Sequence, residues 1–512
     1  MYIMKPLPWF FPVVLFSCCL TGIFEARAAE TPTNAEIYRP AYHYSPERNW
    51  INDPAGLIFD GSQYHLFNQY NPYGDQWGHM SWSHVVSSDL IHWRSLPLAL
   101  AEEKGVAIFT GSTVLDAQNS SGFGKGGKPP LVAIYTGDSG NLETQNLAYS
   151  TDGGLSWAKY AGNPVLDLHE KDFRDPKVFW YAPKQYWVMV VSLAAQRKVQ
   201  FYSSQDLKAW SKLSEFGPAG ANAAPNWECP NFFPLKVENQ PGVTKWVLEV
   251  GIGGNGPTGG SASQYFVGDF NGVQFANANP SNLTFWADAG ADFYAMQVYS
   301  NIPEESGQIA MAWMTNLNYA GKQPTSPWRG ESVFPRVLGL RATREGMRLT
   351  QQPVAQIKEL HEEHFELRNA SWNELQKLLA SRAWPQTIEM EATFEAGQAG
   401  DFGLLLRKGE SHATRVGFDA EWSRLYVDRT RSGEVVVAPG FAARHEAPMS
   451  TAEGRVQMHI LLDRSSVEVF GNDGLVSITD LLFPRPQDNG MGAYSTGTPP
   501  KVISFDLWTL KR

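Results

Sequence analysis

SSQDLKAW, Ser203 to Trp210, is the stretch on which the fold turns, because the chain writes it three times. Its serine, aspartate and closing tryptophan recur in SSDLIHW, ending at Trp93, and in STDGGLSW, ending at Trp157. Trp157 and Trp210 lie 53 residues apart, and so do Asp175 and Glu228, two acidic residues that sit at or near a proline in FRDPKVF and NWECPNF. Turn and acidic motif therefore keep one phase. Between them run short segments rich in Val, Ile, Tyr, Phe and Trp, such as LVAIYTG, YWVMVVSL and KWVLEVG, punctuated by Gly, Asn and Pro, the pattern of short strands.

Extending the phase gives five unit starts: NDPAG near Asp53, FTGS at Phe109 to Ser112, RDPK near Asp175, WECPN near Glu228 and DFYAMQ near Asp292. Units of about 50 to 65 residues built from several short strands predict the blades of a β-propeller, whose innermost strands converge on one axis. The expectation is an all-β chain with a five-bladed β-propeller over 35–345. Residues 346–385, with VAQIKELHEEHFELRN and WNELQKLLASR, carry helix formers and predict a linker with helical turns. From 386 to 512 alternation returns in TIEMEATFEA, DFGLLLRK, RLYVDRT and VISFDLWTL, which predicts an antiparallel β-sandwich. Its acidic residues fall mostly on alternates facing solvent, so support rather than chemistry is expected there.

Composition narrows the function. Lys plus Arg is 42 against 52 Asp plus Glu, with no long basic run, which excludes a nucleic-acid footprint. The 18 tryptophans offer flat faces suited to sugar rings as well as to core packing. Lys5 is the only charge before an apolar run from Trp9 to Phe24, and Ala26-Arg27-Ala28 reads as a cleavage site, so residues 1–28 are expected to be a signal peptide and the mature protein to be exported, periplasmic or secreted. Lipid anchoring through Cys18 or Cys19 is the alternative reading. Either way Cys229 is the only thiol left, an intramolecular disulfide is ruled out, and no later segment is long and apolar enough to span a membrane.

WINDPAG, Trp50 to Gly56, places Asn52 and Asp53 before a Pro-Ala-Gly turn. A lone Asp-Pro is an ordinary way to start a turn. On a propeller, however, Asp53, Asp175 and Glu228 would line one central pocket. Two carboxylates flanking a scissile bond suit glycoside hydrolysis, one protonating the leaving oxygen while the other attacks the anomeric carbon or activates water, and a third can stabilise the developing cation. Glu228, beside Trp227 and Cys229, is expected to stay protonated as the acid; Asp53, beside Asn52, suits the ionised nucleophile; Asp175, beside Arg174, is expected to remain charged. No metal is expected, because His79 and His84 in WGHMSWSH have no HExxH or Cys cluster with them. GIGGNGPTGG lacks the Lys-Ser/Thr of a phosphate loop, and Ser112 has no G-x-S-x-G around it.

From about Tyr38 onward these segments resemble the fructan-cleaving glycoside hydrolases of family 32, among them invertases, inulinases and levanases. WINDPAG is similar to that family's W-M-N-D-P-N-G, FNQYNP to F-Y-Q-Y-N-P, FTGS to F-S-G-S, FRDP to F-R-D-P and WECPNFF to W-E-C-P-[DN]. QYFVGDFNG, DFYAMQ, the run from Trp313 to Arg336 and LDRSSVEVFGNDG also resemble family segments. The resemblance implies a retaining double displacement without a cofactor, with Asp53 as nucleophile, Glu228 as acid/base and Asp175 as transition-state stabiliser. It further implies that Asn52, Gln69, Trp77, Ser112 and Arg174 hold the terminal fructose. The propeller axis is expected to form a blind funnel, with Trp77, Trp313 and Trp328 as its walls and Trp313 as a further substrate-binding residue. Ala55, Asn68 and Thr110 depart from the family's asparagine, tyrosine and serine, which affects pocket shape and not a reacting group. WGHMSWSHVVSSDLIHW is more similar to levanases and exo-inulinases than to invertases. The implied substrate is a fructan, levan or inulin, and sucrose; an invertase, a fructosyl transferase and a catalytically silent sugar-binding propeller are the alternatives. Neither linkage preference nor oligomeric state is legible.

Overall fold

The computed structural model describes residues 34–511 apart from 222, 281–282, 434–435 and 452. The expected leader, its cleavage site, Cys18 and Cys19 lie outside the described residues.

Five antiparallel sheets follow one another along the first part of the chain. Each opens on a strand carrying or following one of the sequence motifs: Asn49–Phe59, Ala107–Leu115, Phe173–Tyr181, Glu228–Lys236 and Tyr294–Val298. Each of these touches the opening strand of the next sheet, and the last touches the first, so they form a closed ring about one axis, the arrangement of a β-propeller. In the first, Trp50 to Ile58 is buried throughout, as a strand enclosed on both faces must be. Ring closure is reinforced where Trp328–Arg329, from the last unit, pairs in parallel with Asn49 and Trp50 of the first.

All five opening strands break register at the same place. Asn52 and Asp53 together face Gln69 alone, and the same shift falls at Phe109–Thr110, Asp175–Pro176, Cys229–Pro230 and Ala295–Met296. These are β-bulges, which leave one residue outside the ladder and re-aim side chains. Pro176 and Pro230 sit in the bulges and Pro54 directly follows one, positions where a residue that cannot donate to a ladder is tolerated. The repeated serine and aspartate fold a tight turn between the third and fourth strands. Ser87, Ser150 and Ser204 hydroxyls donate to Asp89, Asp152 and Asp206 at 2.9, 2.7 and 3.1 Å, and those carboxylates accept from the amides that follow.

The sandwich packs a six-stranded sheet on a five-stranded one around a core that includes Met390, Phe394, Phe402, Leu404, Val467 and Phe505. The segment 346–385 differs from the expected linker. Gly346–Pro353 is the outer strand of the last propeller sheet, and His361–Ala370 is the edge strand of the sandwich, paired with Lys501–Leu510. Only Ala355–Leu360, a 3-10 turn, and the helix Trp372–Leu379 are helical. The free edge beside Lys501–Leu510 overrode the helix propensity of HEEHFELRN, a weak preference that pairing readily exceeds. In WNELQKLL propensity and context agree: Ser371 and Glu374 form a capping box, and Trp372, Leu375 and Leu379 dock on the sandwich core.

Candidate active site

The bulged ends of the opening strands surround a cavity of about 500 Å³. Asp53, Asp175 and Glu228 line it, with Asn52, Gln69, Trp77, Arg174 and Trp313. Of the substrate-binding residues expected from sequence, Ser112 does not. It lies two residues past the second bulge, and its hydroxyl donates to the carbonyl of Pro176 and accepts from the amide of Val178, both at 2.9 Å, so it clamps two neighbouring strands. Nor is Trp328 a wall, since it is buried beneath the guanidinium of Arg39.

Asp53 is held from several sides. Its Oδ2 accepts from Gln69 Nε2 and from Thr110 Oγ1, each at 3.0 Å, and from Cys229 Sγ at 3.4 Å. Thr110 in place of the family's serine therefore keeps the hydroxyl that matters. Burial, with the charge of Glu228, pushes the Asp53 carboxyl up, against the hydrogen bonds from Thr110, Cys229 and Asn52. Burial also pushes the Cys229 thiol up, so it stays protonated and able to donate. Asn52 turns its amide oxygen to Trp50 Nε1 at 2.9 Å, which orients its NH₂ group.

Glu228 does not occupy the apolar setting expected from its neighbours. Alternation sends Trp227 into the core against Phe216 and Phe266, and Cys229 turns toward Asp53. One Glu228 oxygen accepts from Arg174 Nη2 at 2.9 Å and the other from the hydroxyl of Tyr294. Arg174 spends its other nitrogen on Glu143, at 2.9 and 3.0 Å, and on Asp172 at 2.9 Å. Its hydrogen bonds thus bypass Asp175, which corrects the expectation that Arg174 keeps that carboxyl charged. Asp175 accepts from the amide of Cys229 at 2.8 Å, and its own φ is +66°. Burial, with the charges of Glu228 and Asp53, pushes it up to about 8 in spite of Arg174.

Sequence reasoning missed Glu143, Asp172, Tyr294, Cys229 as a donor, and Thr110. Tyr294 and Thr110 stood inside quoted motifs, DFYAMQ and FTGS. Glu143 begins the strand Glu143–Ser150 and Asp172 lies in the loop before Phe173–Tyr181, neither inside a quoted motif. The histidines separate: His79 is on the surface against Glu102 at 2.8 Å, whereas His84 is buried with His65 at 2.9 Å. Burial, with His65 and Arg94, pulls His84 down to about 3, which keeps it neutral.

Residues 43–353 match the family model described as the glycosyl hydrolases family 32 N-terminal domain, and residues 356–509 the one described as its C-terminal domain. The chain is 43% identical to a levanase of Bacillus subtilis over 505 residues, 98% of this chain and 74% of the levanase. It is 37% identical to an extracellular exo-inulinase of Aspergillus niger over 96% of this chain and 97% of that one. Among solved structures it superposes on the exo-inulinase of Aspergillus awamori with a TM-score of 0.86, 35% identity and coverage of 93% and 98% of the two chains. It also superposes on a β-fructofuranosidase of Schwanniomyces occidentalis with a TM-score of 0.85, at 31% identity, covering 94% and 99%.

Proposed function

Because the chain belongs to glycosyl hydrolases family 32 and is a glycoside hydrolase, we propose that it removes terminal fructose from fructans, levan or inulin, and from sucrose, as a retaining β-fructofuranosidase. The observation that carries this reading is the set of three carboxylates on one cavity, each with different partners. Asp53, fixed by Gln69 and Thr110, attacks the anomeric carbon. Glu228 gives its proton to the departing oxygen as the old bond breaks, leaving a fructosyl ester on Asp53. Glu228 then takes a proton from water, which attacks the same carbon and frees Asp53. Asp175 faces the ring hydroxyls and the positive charge that develops on the sugar. Arg174 and Tyr294 hold the Glu228 carboxyl in place through both steps.

The three carboxylates share one cavity of about 500 Å³ at the bulged ends of the strands, a pocket of a size that favours attack on chain ends. Fructose released singly from levan or inulin is the expected product pattern; early oligosaccharides without free fructose would point to an endo-acting enzyme or to a transferase. Asp53→Asn keeps the shape and removes the attacking charge, so turnover should vanish while the circular dichroism spectrum is unchanged. Near-normal fructose release by the folded variant would remove Asp53 from the role. The extracellular relative and the leader-like first 28 residues support export.

A further inference from the structure

We propose that Tyr73 and His79 form an outer binding shelf for the fructan chain beyond the unit being cleaved, a reading that rests on the fructan-hydrolase function above. Tyr73 is among the most exposed aromatic rings described, at 79%, and it does not line the catalytic cavity. It belongs to the loop between Tyr64–Asn71 and Ser81–Ser87, and that same loop sends Gln76 and Trp77 into the cavity wall.

The loop is held from within, so the exposure of Tyr73 is built in. The Tyr73 amide donates to Asn71 Oδ1 at 2.9 Å, Asn71 Nδ2 donates to the carbonyl of Gln76 at 2.7 Å, and the carbonyl of Gly74 accepts from the Trp50 amide at 3.0 Å. The Tyr73 ring meets the His79 ring edge-on, centroids 5.1 Å apart at 87°. His79 Nδ1 is fixed by Glu102 at 2.8 Å, which leaves Nε2 for a sugar hydroxyl. Trp77, between them in sequence and 59% exposed, packs its edge on Phe109 inside the cavity. Aromatic surface therefore continues from the cavity wall over its rim.

A polymer whose end is bound in the cavity continues past its rim. Exposed aromatic faces with an adjacent polar atom match the C–H faces and hydroxyls of successive sugar units. Sucrose, only two rings long, offers no further units to such a shelf. Inulin and levan do.

The test is to measure KM and kcat for fructose release from sucrose and from long-chain inulin and levan, with wild type, Tyr73→Ala and Tyr73→Phe. Tyr73→Ala should raise KM for the long fructans by about three- to tenfold, leave their kcat near wild type, and shift the ratio of fructan to sucrose efficiency by the same factor. Tyr73→Phe keeps the ring and should keep the wild-type ratio. An unchanged ratio in Tyr73→Ala, or an equal loss on sucrose and fructan, would overturn the shelf. A wild-type enzyme that releases fructose from none of the three would instead overturn the function on which the shelf rests.

Discussion

Asp175 and Glu228 touch the same arginine's surroundings in different ways, and that difference can be measured. Glu228 accepts directly from Arg174 and Tyr294, the placement of a group that must hand over a proton and take it back. Glu228→Gln should therefore hurt substrates with poor leaving groups most, spare a fructoside with an activated aryl leaving group, and remove the high-pH limb of the rate profile. Measured above about pH 8, where Asp175 is ionised, Asp175→Asn should lower activity about equally on both substrates, by about 2–4 kcal/mol of transition-state stabilisation. Rescue of Asp175→Asn by the activated substrate would mean the roles are reversed. Asp175 also carries a stability signature. Its carboxyl is raised from 3.8 to about 8 by burial and the neighbouring carboxylates, so the folded state holds the proton more tightly than the unfolded one. Stability from this group is fully present below 3.8 and is lost as pH rises through about 8. Asp175→Asn should consequently raise the melting temperature relative to wild type, by an increment that grows between pH 4 and pH 8; a pH-independent increment would contradict the burial argument.

The element that makes the site is the bulged opening strand. Because the same two-against-one shift occurs in all five, five sequence-distant segments deliver side chains to one cavity. Gly56, three residues past Asp53, sits in a second register shift of the first strand, and there glycine is demanded. Its φ is +59°, and an added Cβ would lie 2.7 Å from Phe67, 2.8 Å from Thr113 and 2.9 Å from Trp82. Gly56→Ala should destabilise by about 1–3 kcal/mol through crowding alone, with a further cost for the left-handed backbone. Denaturant unfolding reads the loss directly, and a variant as stable as wild type would show that the strand accommodates a side chain there.

At the scale of the whole molecule, propeller and sandwich are joined by buried ions. His43 lies between Asp463 at 2.8 Å and Glu468 at 2.7 Å; Arg336 pairs with Glu468 and, at 3.1 Å, with Asp288; Arg429 of the sandwich reaches Asp292 at 2.6 Å. Removing one partner leaves the others uncompensated, so Arg336→Met should cost about 3–5 kcal/mol. The joint also sets a pH window. Burial alone would lower His43, but Asp463 and Glu468 hold it up to about 10, so its contribution is whole below 6.5 and is lost as pH rises through about 10. Burial alone would raise Glu468, but Arg336 and His43 pull it down to about 2, so its contribution is present above 4.5 and is lost as pH falls toward 2. Thermal melts across pH should show weakening on both flanks, and a variant at His43 should flatten the alkaline one.

Sequence alone determined that the chain is all-β, that strands repeat in phase, and that Asp53, Asp175 and Glu228 come to one place. Periodicity and turn residues are local, and a ring built on a repeat brings equivalent positions together whatever lies between them. Tertiary structure decided what each equivalent position does. Asp292 opens the fifth unit as Asp53 opens the first, yet it is turned to the sandwich and held by Arg429, Tyr319 and the Leu481 amide, while Tyr294 supplies that unit's contact with Glu228. Ser112 clamps two strands instead of facing the cavity, and HEEHFELRN becomes an edge strand because a partner strand was there to receive it. Burial, and the charges that burial brings close, are properties of the assembled ring; none of them can be read from spacing along the chain.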